Sequence, residues 1–287
     1  MTDGTGVAVR ADRLGKRYGA RWALRDCSFE LPAGRTAALV GPNGAGKTTL
    51  LMIAAGLLRP TAGTAEVTGS VGFLAQSKAL YRTFRVAEML RLTGRLEAAE
   101  RWDGAYASRL VDEAGIDTER RVGRLTPGER ARVAVALALG RRPDLLLLDE
   151  PLAELDPLAR RQVMGMVLAE ASGAGTTVLM SSHVIADVEE ACDHLVLLRG
   201  GRVRVAGPVD ALLDQHRLLT GPAGGAGIPA EAVVLASTAG RQTTALVRAA
   251  ALPSPPAKST SGLASARPGL EDLVMAYLQD ANDGGAA

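Results

Sequence analysis

The sequence has few cysteines, few aromatic side chains and no long apolar run. Its two cysteines, Cys27 and Cys192, lie far apart and form no CxxC pair, which excludes a disulfide scaffold and a zinc cluster and suits a reducing cytosol. The first residues lack the apolar stretch of a secretory signal. No apolar run approaches the roughly 18 residues that a membrane helix needs. We therefore expect inert thiols and a chain that reaches a membrane only through another protein.

The sequence also has little excess of charge of either sign. The 287 residues include 33 Lys and Arg against 31 Asp and Glu, a formal net charge of +2. Nucleic-acid-binding domains concentrate basic charge on one face, so no nucleic-acid partner is expected. Arginines do cluster between residues 120 and 142, and we interpret most of them as a solvated face. Apolar residues make up 47% of the chain, which is ample for a folded core.

Strand and helix patterns alternate up to about residue 219. Residues 7–35 alternate and turn as in an antiparallel sheet. Short apolar runs predict strands at 36–40, 69–76, 145–151 and 176–182, and a hairpin over 194–207 that turns on Gly200 and Gly201. Apolar spacing predicts helices at 47–58, 129–140, 157–172 and 184–193, with amphipathic helices between 77 and 124. This alternation predicts an α/β fold with a mostly parallel sheet.

Composition changes after about residue 219. Loop-forming linkers rich in Gly, Pro and Ser occupy 221–227 and 253–262. Between them, AVVLAS and TTALVR can pair as a small hairpin, and residues 269–280 have the spacing of a terminal amphipathic helix. We therefore divide the chain into a domain over 1–219, with a helical subdomain at about 77–140, and a small appendage over 220–287. No function is assigned to the appendage.

The segment GPNGAGKT at 41–48 fits the pattern G-x-x-x-x-G-K-[ST], directly after a strand and at the start of a helix. Its glycines let the backbone wrap closely, so that successive N–H groups and the helix N-terminus can surround a β-phosphate. Lys47 would bring its charge to the β- and γ-phosphates, and the Thr48 hydroxyl would complete a Mg²⁺ shell. The residues predicted to bind the nucleotide here are Gly41, Pro42, Asn43, Gly44, Ala45, Gly46, Lys47, Thr48 and Thr49.

Two acids, Asp149 and Glu150, end the buried strand LLLLDE. Burying an isolated carboxylate is expensive unless it meets a cation, and Mg²⁺ at the phosphate loop would provide one. Asp149 would then hold the metal through water, and Glu150 would orient or deprotonate an attacking water. Alone, an acidic strand end is explained as well by capping of the next helix. Together with the phosphate loop it predicts a P-loop ATPase.

Further motifs follow in order along the chain: Tyr18 in KRYG, Gln76 in GFLAQ, LTPGER at 125–130, AELD at 153–156 and His183 in SSH. With the phosphate loop and the acidic strand end, they make residues 7–215 resemble the nucleotide-binding subunits of ABC transporters, in particular single-cassette actinobacterial exporter subunits. The resemblance implies a P-loop NTPase fold with a mostly parallel central sheet, an antiparallel β subdomain and an inserted helical subdomain. It also implies ATP hydrolysis with ATP and Mg²⁺, coupled to export.

The resemblance implies roles for single residues as well. Tyr18 would stack on adenine, and Gln76 would reach Mg²⁺ or the attacking water and report to the membrane partner. His183 would hydrogen-bond the γ-phosphate, and Asp156 would lie where two subunits meet. The family has LSGGQ, a contact to the ATP of the partner subunit, where this chain has Leu125, Thr126, Pro127, Gly128 and Glu129.

The family pairs two ATPase subunits head to tail, which implies a homodimer or heterodimer with two ATP molecules at its interface. Separately encoded permeases in the membrane would bind this pair at the inner, cytoplasmic face. Residues 77–90 would form part of the docking surface, with Tyr81 and Phe84 as candidate anchors, although packing of both rings within the helical subdomain is an equal interpretation.

Two other functions stay open. The first is a soluble ABC-type ATPase that acts on DNA or ribosomes. The short stretch between Lys47 and Leu125 leaves no room for a long coiled coil, the cysteines are too few for zinc modules, and the chain contains a single cassette. The second is a subunit that binds ATP and regulates without hydrolysing it.

The segment LTPGER departs from LSGGQ at two positions that matter for a phosphate. Pro127 has no N–H, and Glu129 carries negative charge. However, Thr126 is a good helix N-cap, and T-P-G-E matches the capping box with proline at the first helical position. The Thr126 hydroxyl, the Gly128 N–H and the positive helix end would remain available to a phosphate. We expect an altered but competent signature in which Glu129 turns back to its own cap.

Overall fold

The structure is a computed structural model that describes residues 6–97, 102–223, 228–252 and 263–279. The chain separates into two compact units, Met1–Ala206 and Gly207–Ala287. The strands that begin within the first unit are β1 (Val7–Tyr18), β2 (Arg21–Pro32), β3 (Thr36–Val40), β4 (Ala62–Val67), β5 (Val71–Leu74), β6 (Leu145–Leu148), β7 (Thr177–Ser182), β8 (His194–Arg199) and β9 (Arg202–Pro208). Its α-helices are α1 (Lys47–Ala54), α2 (Val86–Leu96), α3 (Gly104–Glu113), α4 (Pro127–Leu139) and α5 (Pro157–Ala174).

The central sheet has the strand order β5-β6-β7-β3-β8-β9. Neighbours from β5 to β8 pair in parallel, which confirms the predicted α/β class with a mostly parallel sheet. Strands β3 and β6 are buried along their whole length, as uninterrupted apolar runs such as LLLL indicate for strands covered on both faces. The carboxyl ends of β5, β6, β7 and β3 therefore meet at one edge, where ligands bind in open α/β sheets.

A separate antiparallel sheet has the order β2-β1-β4. The β1–β2 hairpin was predicted, and it turns at Gly19, which has a φ of 58° that suits glycine. Strand β4 was not predicted, because its residues AGTAEV lack a clear alternation of apolar and polar side chains. The sheet packs its apolar face into one core with α1 and the central sheet, through residues such as Leu24, Leu50 and Leu147.

Helices α2, α3 and α4 share a second apolar cluster, which includes Val86, Ala107, Val111 and Val133. The amphipathic spacing in this part of the sequence predicted such helices. Phe84 packs against the cluster, whereas Tyr81 beside it is 60% exposed. The two candidate docking aromatics are in ring contact, with centroids 5.3 Å apart, and Tyr81 is the more exposed of the two.

The predicted helix over 184–193 is wrong, since the structure has a single 3-10 turn at Ile185–Asp187. The Ser182 hydroxyl accepts from the Val184 N–H at 3.0 Å and donates to the Val184 carbonyl at 2.9 Å, which keeps Val184 itself out of a helix. These bonds hold Val184 in an extended conformation. At the other end, the Asp193 N–H donates to the Thr36 carbonyl at 3.0 Å and returns the chain to the sheet.

The second unit contains α6 (Val209–Asp214), β10 (His216–Pro222), β11 (Val233–Ala239), β12 (Gln242–Arg248), β13 (Ala264–Ala266) and α7 (Leu270–Gln279). Its strands form an antiparallel sheet of order β11-β12-β10-β13, so the predicted hairpin and terminal helix are confirmed within the described residues. Most of the two predicted linkers, residues 224–227 and 253–262, lies outside the described residues. The unit begins at Gly207, earlier than the predicted boundary at 219–220, and it includes the whole of β10, which pairs with β12 and β13.

Both cysteines lie in buried positions. Burial raises the pKa of the Cys27 thiol, which donates a hydrogen bond to the Gly201 carbonyl at 3.1 Å. Burial raises the pKa of Cys192 to about 12. Neither thiol forms much thiolate at neutral pH, as expected of inert cysteines. None of the helices in the described ranges is both long enough and apolar enough to cross a bilayer.

Candidate active site

A cavity of about 640 Å³ opens at the carboxyl edge of the central sheet. Its volume is in the range of small-molecule sites, about 300–1,000 Å³. Its lining consists of Tyr18, Arg21, Ala23, Pro42, Asn43, Gly44, Ala45, Gly46, Lys47, Thr48, Thr49, Gln76, Glu150 and His183. The structure thus brings most of the predicted site residues together. Asp149 is buried beside the cavity, whereas residues 125–129 and Asp156 are outside its lining.

The phosphate loop follows β3 and leads into α1. Gly46 has a φ of 108°, and a Cβ added there would lie 2.5 Å from the Ala23 carbonyl oxygen, so the position excludes any side chain. At Gly41 a side chain is excluded in the same way, by the backbone of Leu198. The loop therefore holds α1 with its N-terminal N–H groups toward the cavity, which is an anion-binding arrangement.

Lys47 begins α1 and lies at the floor of the loop with its side chain 6% exposed. Its Nζ donates to the Gly41 carbonyl at 2.6 Å and lies 3.2 Å from Glu150 Oε1. A buried ammonium needs such a carboxylate and such hydrogen-bond acceptors. The oxygens of a bound triphosphate could replace them, so the lysine is poised to change partners when a nucleotide binds.

Thr48 and Asp149 form the second contact between the loop and β6. The Thr48 hydroxyl donates to Asp149 Oδ2 at 2.8 Å, and Asp149 is only 1% exposed. These oxygens, together with the side-chain amide of Gln76 at the cavity wall, are a donor set that fits Mg²⁺. Among the described residues no group of three or more His, Cys, Asp and Glu could hold a metal.

Ser181 is a site residue that the sequence patterns missed. Its hydroxyl donates to Asp149 Oδ1 at 2.8 Å and accepts from the Glu150 N–H at 2.8 Å. The serine therefore fixes both acids from the neighbouring strand β7. Its position in SSH, two residues before His183, was the available signal, but the sequence does not show which serine faces β6.

Glu150 joins the charged groups of the cavity. Its Oε2 lies 2.8 Å from Nδ1 of His183, while its Oε1 faces Lys47. The residue has a φ of 48°, a left-handed conformation that is strained for a side chain other than glycine. Such strain is found where surrounding contacts fix a functional group, and here Ser181 holds the Glu150 N–H. The carboxylate is thereby held at the cavity wall, where it can accept a proton from water.

Tyr18 and Arg21 form the outer rim of the cavity. Tyr18 is 51% exposed, and Lys16 Nζ lies over its ring, 5.5 Å from the ring centre. The two residues are cross-strand partners at the end of the β1–β2 hairpin. Arg21 was not predicted, although the tight turn after Tyr18 does place residue 21 opposite it. Its guanidinium adds a cation to the rim of the cavity.

The signature segment forms the start of α4, as predicted. Thr126 is the N-cap, and its hydroxyl accepts from the Glu129 N–H at 3.2 Å. The Thr126 N–H donates in turn to Glu129 Oε2 at 2.7 Å, which completes the capping box, and Pro127 occupies the first turn. Gly128 packs so closely that a Cβ there would lie 2.6 Å from that of Ala159 on α5.

Arg120 binds the carboxylate of Glu129, the acidic residue of the signature segment 125–129. Its Nη1 donates to Glu129 Oε1 at 2.6 Å and its Nη2 to Oε2 at 3.2 Å. The hydrogen bond from Arg120 lowers the pKa of the Glu129 carboxyl, so the side chain is ionised at neutral pH. Arg120 is 37% exposed and Glu129 only 16%.

The other arginines of this region also differ from the predicted solvated face. Arg121, Arg130 and Arg132 donate to the backbone carbonyls of Thr83, Leu125 and Ala114, respectively. The guanidinium of Arg142 stacks 3.2 Å from the ring centre of Tyr106. These side chains thus connect segments of the helical region, while Arg121 and Arg142 remain exposed to solvent.

Asp156 caps α5. Its Oδ1 accepts from the Ala159 N–H at 2.9 Å. The neighbouring Arg160 donates to the Leu155 carbonyl at 3.0 Å and to Asp187 Oδ1 at 2.8 Å. This loop is therefore connected to the segment that follows His183.

Sequence comparison supplies a family for these features. The sequence model described as ABC transporter matches residues 24–153. An uncharacterized ABC transporter ATP-binding protein of Bacillus subtilis, YxlF, is 33% identical over 216 residues, which are 72% of this chain and 72% of that protein. A phosphonates import ATP-binding protein of a Synechococcus strain is 34% identical, with coverage of 71% and 86%. The Nod factor export ATP-binding protein I of Rhizobium johnstonii is 32% identical, with coverage of 73% and 72%.

Solved structures resemble the same part of the chain. The ATP-binding subunit of an ABC transporter matches with a TM-score of 0.63 and 26% identity, over 72% of this chain and 92% of that one. A dimeric ATP-binding cassette in a post-hydrolysis state, bound to ADP and Pi, also has a TM-score of 0.63. Its sequence is 21% identical, and the match covers 70% of this chain and 98% of that one. This similarity shows a shared fold.

Proposed function

Because this chain belongs to the ATP-binding proteins of ABC transporters and is an ABC-type ATPase, we propose that it drives separate membrane permeases by ATP-dependent dimer closure, in the direction of export. The observation that carries the proposal is the meeting of Lys47, Glu150 and His183 at one sheet edge. Lys47 Nζ is 3.2 Å and His183 Nδ1 is 2.8 Å from the two oxygens of the same carboxylate.

The residues of the cavity divide the work of hydrolysis. Lys47 and the N-terminus of α1 bind the β- and γ-phosphates, and Tyr18 stacks on the adenine. Thr48, Asp149 and Gln76 would hold Mg²⁺, which would supply positive charge to the phosphates. Glu150 accepts a proton from water as the water oxygen bonds to the γ-phosphorus and the bond to the ADP oxygen breaks. His183 orients the Glu150 carboxylate and hydrogen-bonds the γ-phosphate.

A second subunit completes the site. The start of α4 has phosphate-binding features, but residues 125–129 are outside the cavity lining of their own chain. In the proposed dimer this segment meets the ATP in the cavity of the opposite subunit, and Asp156 lies at the same interface. The dimeric cassette with ADP and Pi supports this arrangement through its shared fold.

The membrane subunits lie outside this chain. The proposal places the ATPase at the cytoplasmic face, with residues 77–90 and the exposed ring of Tyr81 at the permease. For direction, the Nod factor export relative supports export, while the phosphonates import relative of similar identity supports the opposite. The measurement must therefore score both directions. A soluble ATPase acting on nucleic acid is disfavoured by the transporter names of these relatives.

Glu150→Gln and Lys47→Ala test the catalytic part of the proposal. Glu150→Gln removes the proton acceptor, so we expect turnover to fall by at least about a hundredfold while ATP still binds and a dimer accumulates. Lys47→Ala removes the buried cation, so ATP affinity itself should fall. Phosphate release, ATP titration and size-exclusion chromatography with Mg-ATP measure these effects.

Glu66→Gln, at an exposed position on β4, is the matched control and should behave like the unchanged protein. Normal turnover in Glu150→Gln would remove Glu150 from its role. Unchanged ATP affinity in Lys47→Ala would refute the phosphate-loop assignment.

Reconstitution tests the transport part. The chain should co-purify with a membrane protein encoded beside its gene, and the pair in inverted vesicles should accumulate substrate if it exports. Depletion of preloaded substrate from those vesicles would instead show that the pair imports. ATPase activity stimulated by RNA or ribosomes, with no membrane partner, would favour the soluble alternative.

A further inference from the structure

The first turn of α4 places a carboxylate among the groups proposed to meet a phosphate. Thr126 is the N-cap, the Gly128 N–H lies in the first turn and has no partner within the helix, and Glu129 follows directly. A negative charge here would repel a triphosphate and offset the favourable field of the helix N-terminus. The segment therefore needs a way to neutralise Glu129.

Arg120 supplies the neutralising positive charge through two hydrogen bonds to the Glu129 carboxylate. Both oxygens of the Glu129 carboxylate receive a guanidinium hydrogen bond, at 2.6 and 3.2 Å. The same Nη2 also donates to the Arg124 carbonyl at 3.1 Å, which ties the arginine to the loop before the signature. Such a bidentate pair fixes the orientation of the carboxylate as well as its charge.

The capping box does not itself require Arg120. Glu129 already accepts from the Thr126 N–H at 2.7 Å, and Thr126 accepts from the Glu129 N–H, so the helix start is closed by its own residues. Since the carboxyl is ionised, its charge can be offset only by a cation, and the guanidinium is in contact with it. Arg120 thus neutralises and orients the Glu129 carboxylate, while the capping box alone is sufficient to form the start of α4.

We propose that Arg120 is a positioning residue for ATP-dependent dimer closure. By pairing with Glu129 it turns the carboxylate away from the interface and cancels its charge, so that Thr126 and Gly128 can contact the γ-phosphate in a second subunit. The inference rests on the proposed function, because it requires the signature to meet ATP across a dimer.

Arg120→Gln separates this role from a structural one. We expect ATP binding to the phosphate loop of the same chain to stay within about twofold. Turnover at saturating Mg-ATP, and ATP-dependent dimer formation in the Glu150→Gln background, should fall about three- to tenfold, a modest range because the pair is partly exposed. The loss should shrink at high ionic strength, which screens the exposed charge.

The double variant Arg120→Gln with Glu129→Gln is the decisive rescue. It removes the negative charge together with its partner, so turnover should return to within about twofold of the unchanged protein. Arg120→Lys keeps the charge without the fork and should lie between the two. Arg109→Gln, which breaks an exposed ion pair with Glu113 on α3, is the matched control and should leave turnover unchanged.

Two results would overturn the inference alone: full turnover in Arg120→Gln, or an equal defect in the single and double variants. The second result would assign Arg120 a purely structural role. If the unchanged protein showed neither an ATP-dependent dimer nor turnover sensitive to Glu150→Gln, the proposed function would fail and this inference with it.

Discussion

At the scale of residues, Ser181 on β7 fixes two adjacent acids, Asp149 and Glu150, that follow the neighbouring strand β6. It reaches from β7 to the carboxylate of Asp149 and to the backbone of Glu150, both at 2.8 Å. Asp149 also receives the Thr48 hydroxyl from the phosphate loop. The two acids are thereby held by groups from two other chain segments, so small displacements of β7 would be transmitted to both.

We expect Ser181→Ala to impair turnover more than ATP binding. The change leaves a buried Asp149 oxygen and the Glu150 N–H without their partner, at a cost of about 1–3 kcal/mol each. Glu150 would lose its fixed orientation, and turnover should fall about tenfold or more. Phosphate release and ATP titration check the split, with the exposed Ser172→Ala on α5 as control. Equal turnover in the two variants would refute a positioning role for Ser181.

The sequence indicated Lys47, Asp149 and Glu150 because their motifs are continuous in the chain. It did not indicate Ser181, because that contact depends on how β6 and β7 align. Leu148 lies opposite Met180 in the parallel register, which puts the following residues of both strands side by side. No local pattern encodes this alignment. For the same reason, Arg120 was noticed only as one member of an arginine-rich region.

At the scale of elements, strong local signals predicted well and weak ones did not. The capping signal at Thr126 was correct because all of its hydrogen bonds lie within one turn. The predicted helix over 47–58 ends earlier, at Ala54, because Gly56 takes a φ of 73° and the Leu57 N–H turns back to Met52. The false helix over 184–193 has helical composition, but the chain forms only one 3-10 turn there before the Asp193 N–H returns it to the sheet at Thr36.

Thr126→Ala should destabilise α4. It removes the side-chain acceptor of the capping box, and we expect the free energy of unfolding to fall by about 1 kcal/mol. Urea unfolding followed by circular dichroism measures the change. Thr126→Ser keeps the hydroxyl and should stay close to the unchanged protein. If the alanine and serine variants were equally stable, the cap would contribute nothing to the fold.

At the scale of the whole molecule, the alternation of strands and helices predicted the fold class but not the strand order. The order β5-β6-β7-β3-β8-β9 joins strands that are far apart in sequence, so it follows from long-range packing. The division between the units shifted for a related reason. The strand that begins at His216 could be assigned to the second unit only through its pairing with β12 and β13.

Each unit also buries one histidine, His194 in β8 and His216 at the start of β10. Burial lowers the pKa of both side chains below the ordinary value of 6.5. In the second unit, His216 Nδ1 donates to the Leu212 carbonyl at 2.7 Å and Nε2 accepts from the Tyr277 hydroxyl at 2.9 Å. This neutral arrangement leaves no site for a second proton without rearrangement.

We therefore expect acid to weaken both units. A lowered pKa means that the unfolded chain binds more protons, so the stabilisation is present above about pH 6.5 and is lost as the pH falls toward the folded-state pKa. Hydrogen exchange at about pH 7.5 and pH 5.5, corrected for intrinsic rates, can follow β8 and β10 separately. His216→Gln should reduce the pH dependence of β10 and leave that of β8 unchanged. If the protection of β10 from hydrogen exchange did not change with pH in the unchanged protein, the buried neutral state of His216 would be contradicted.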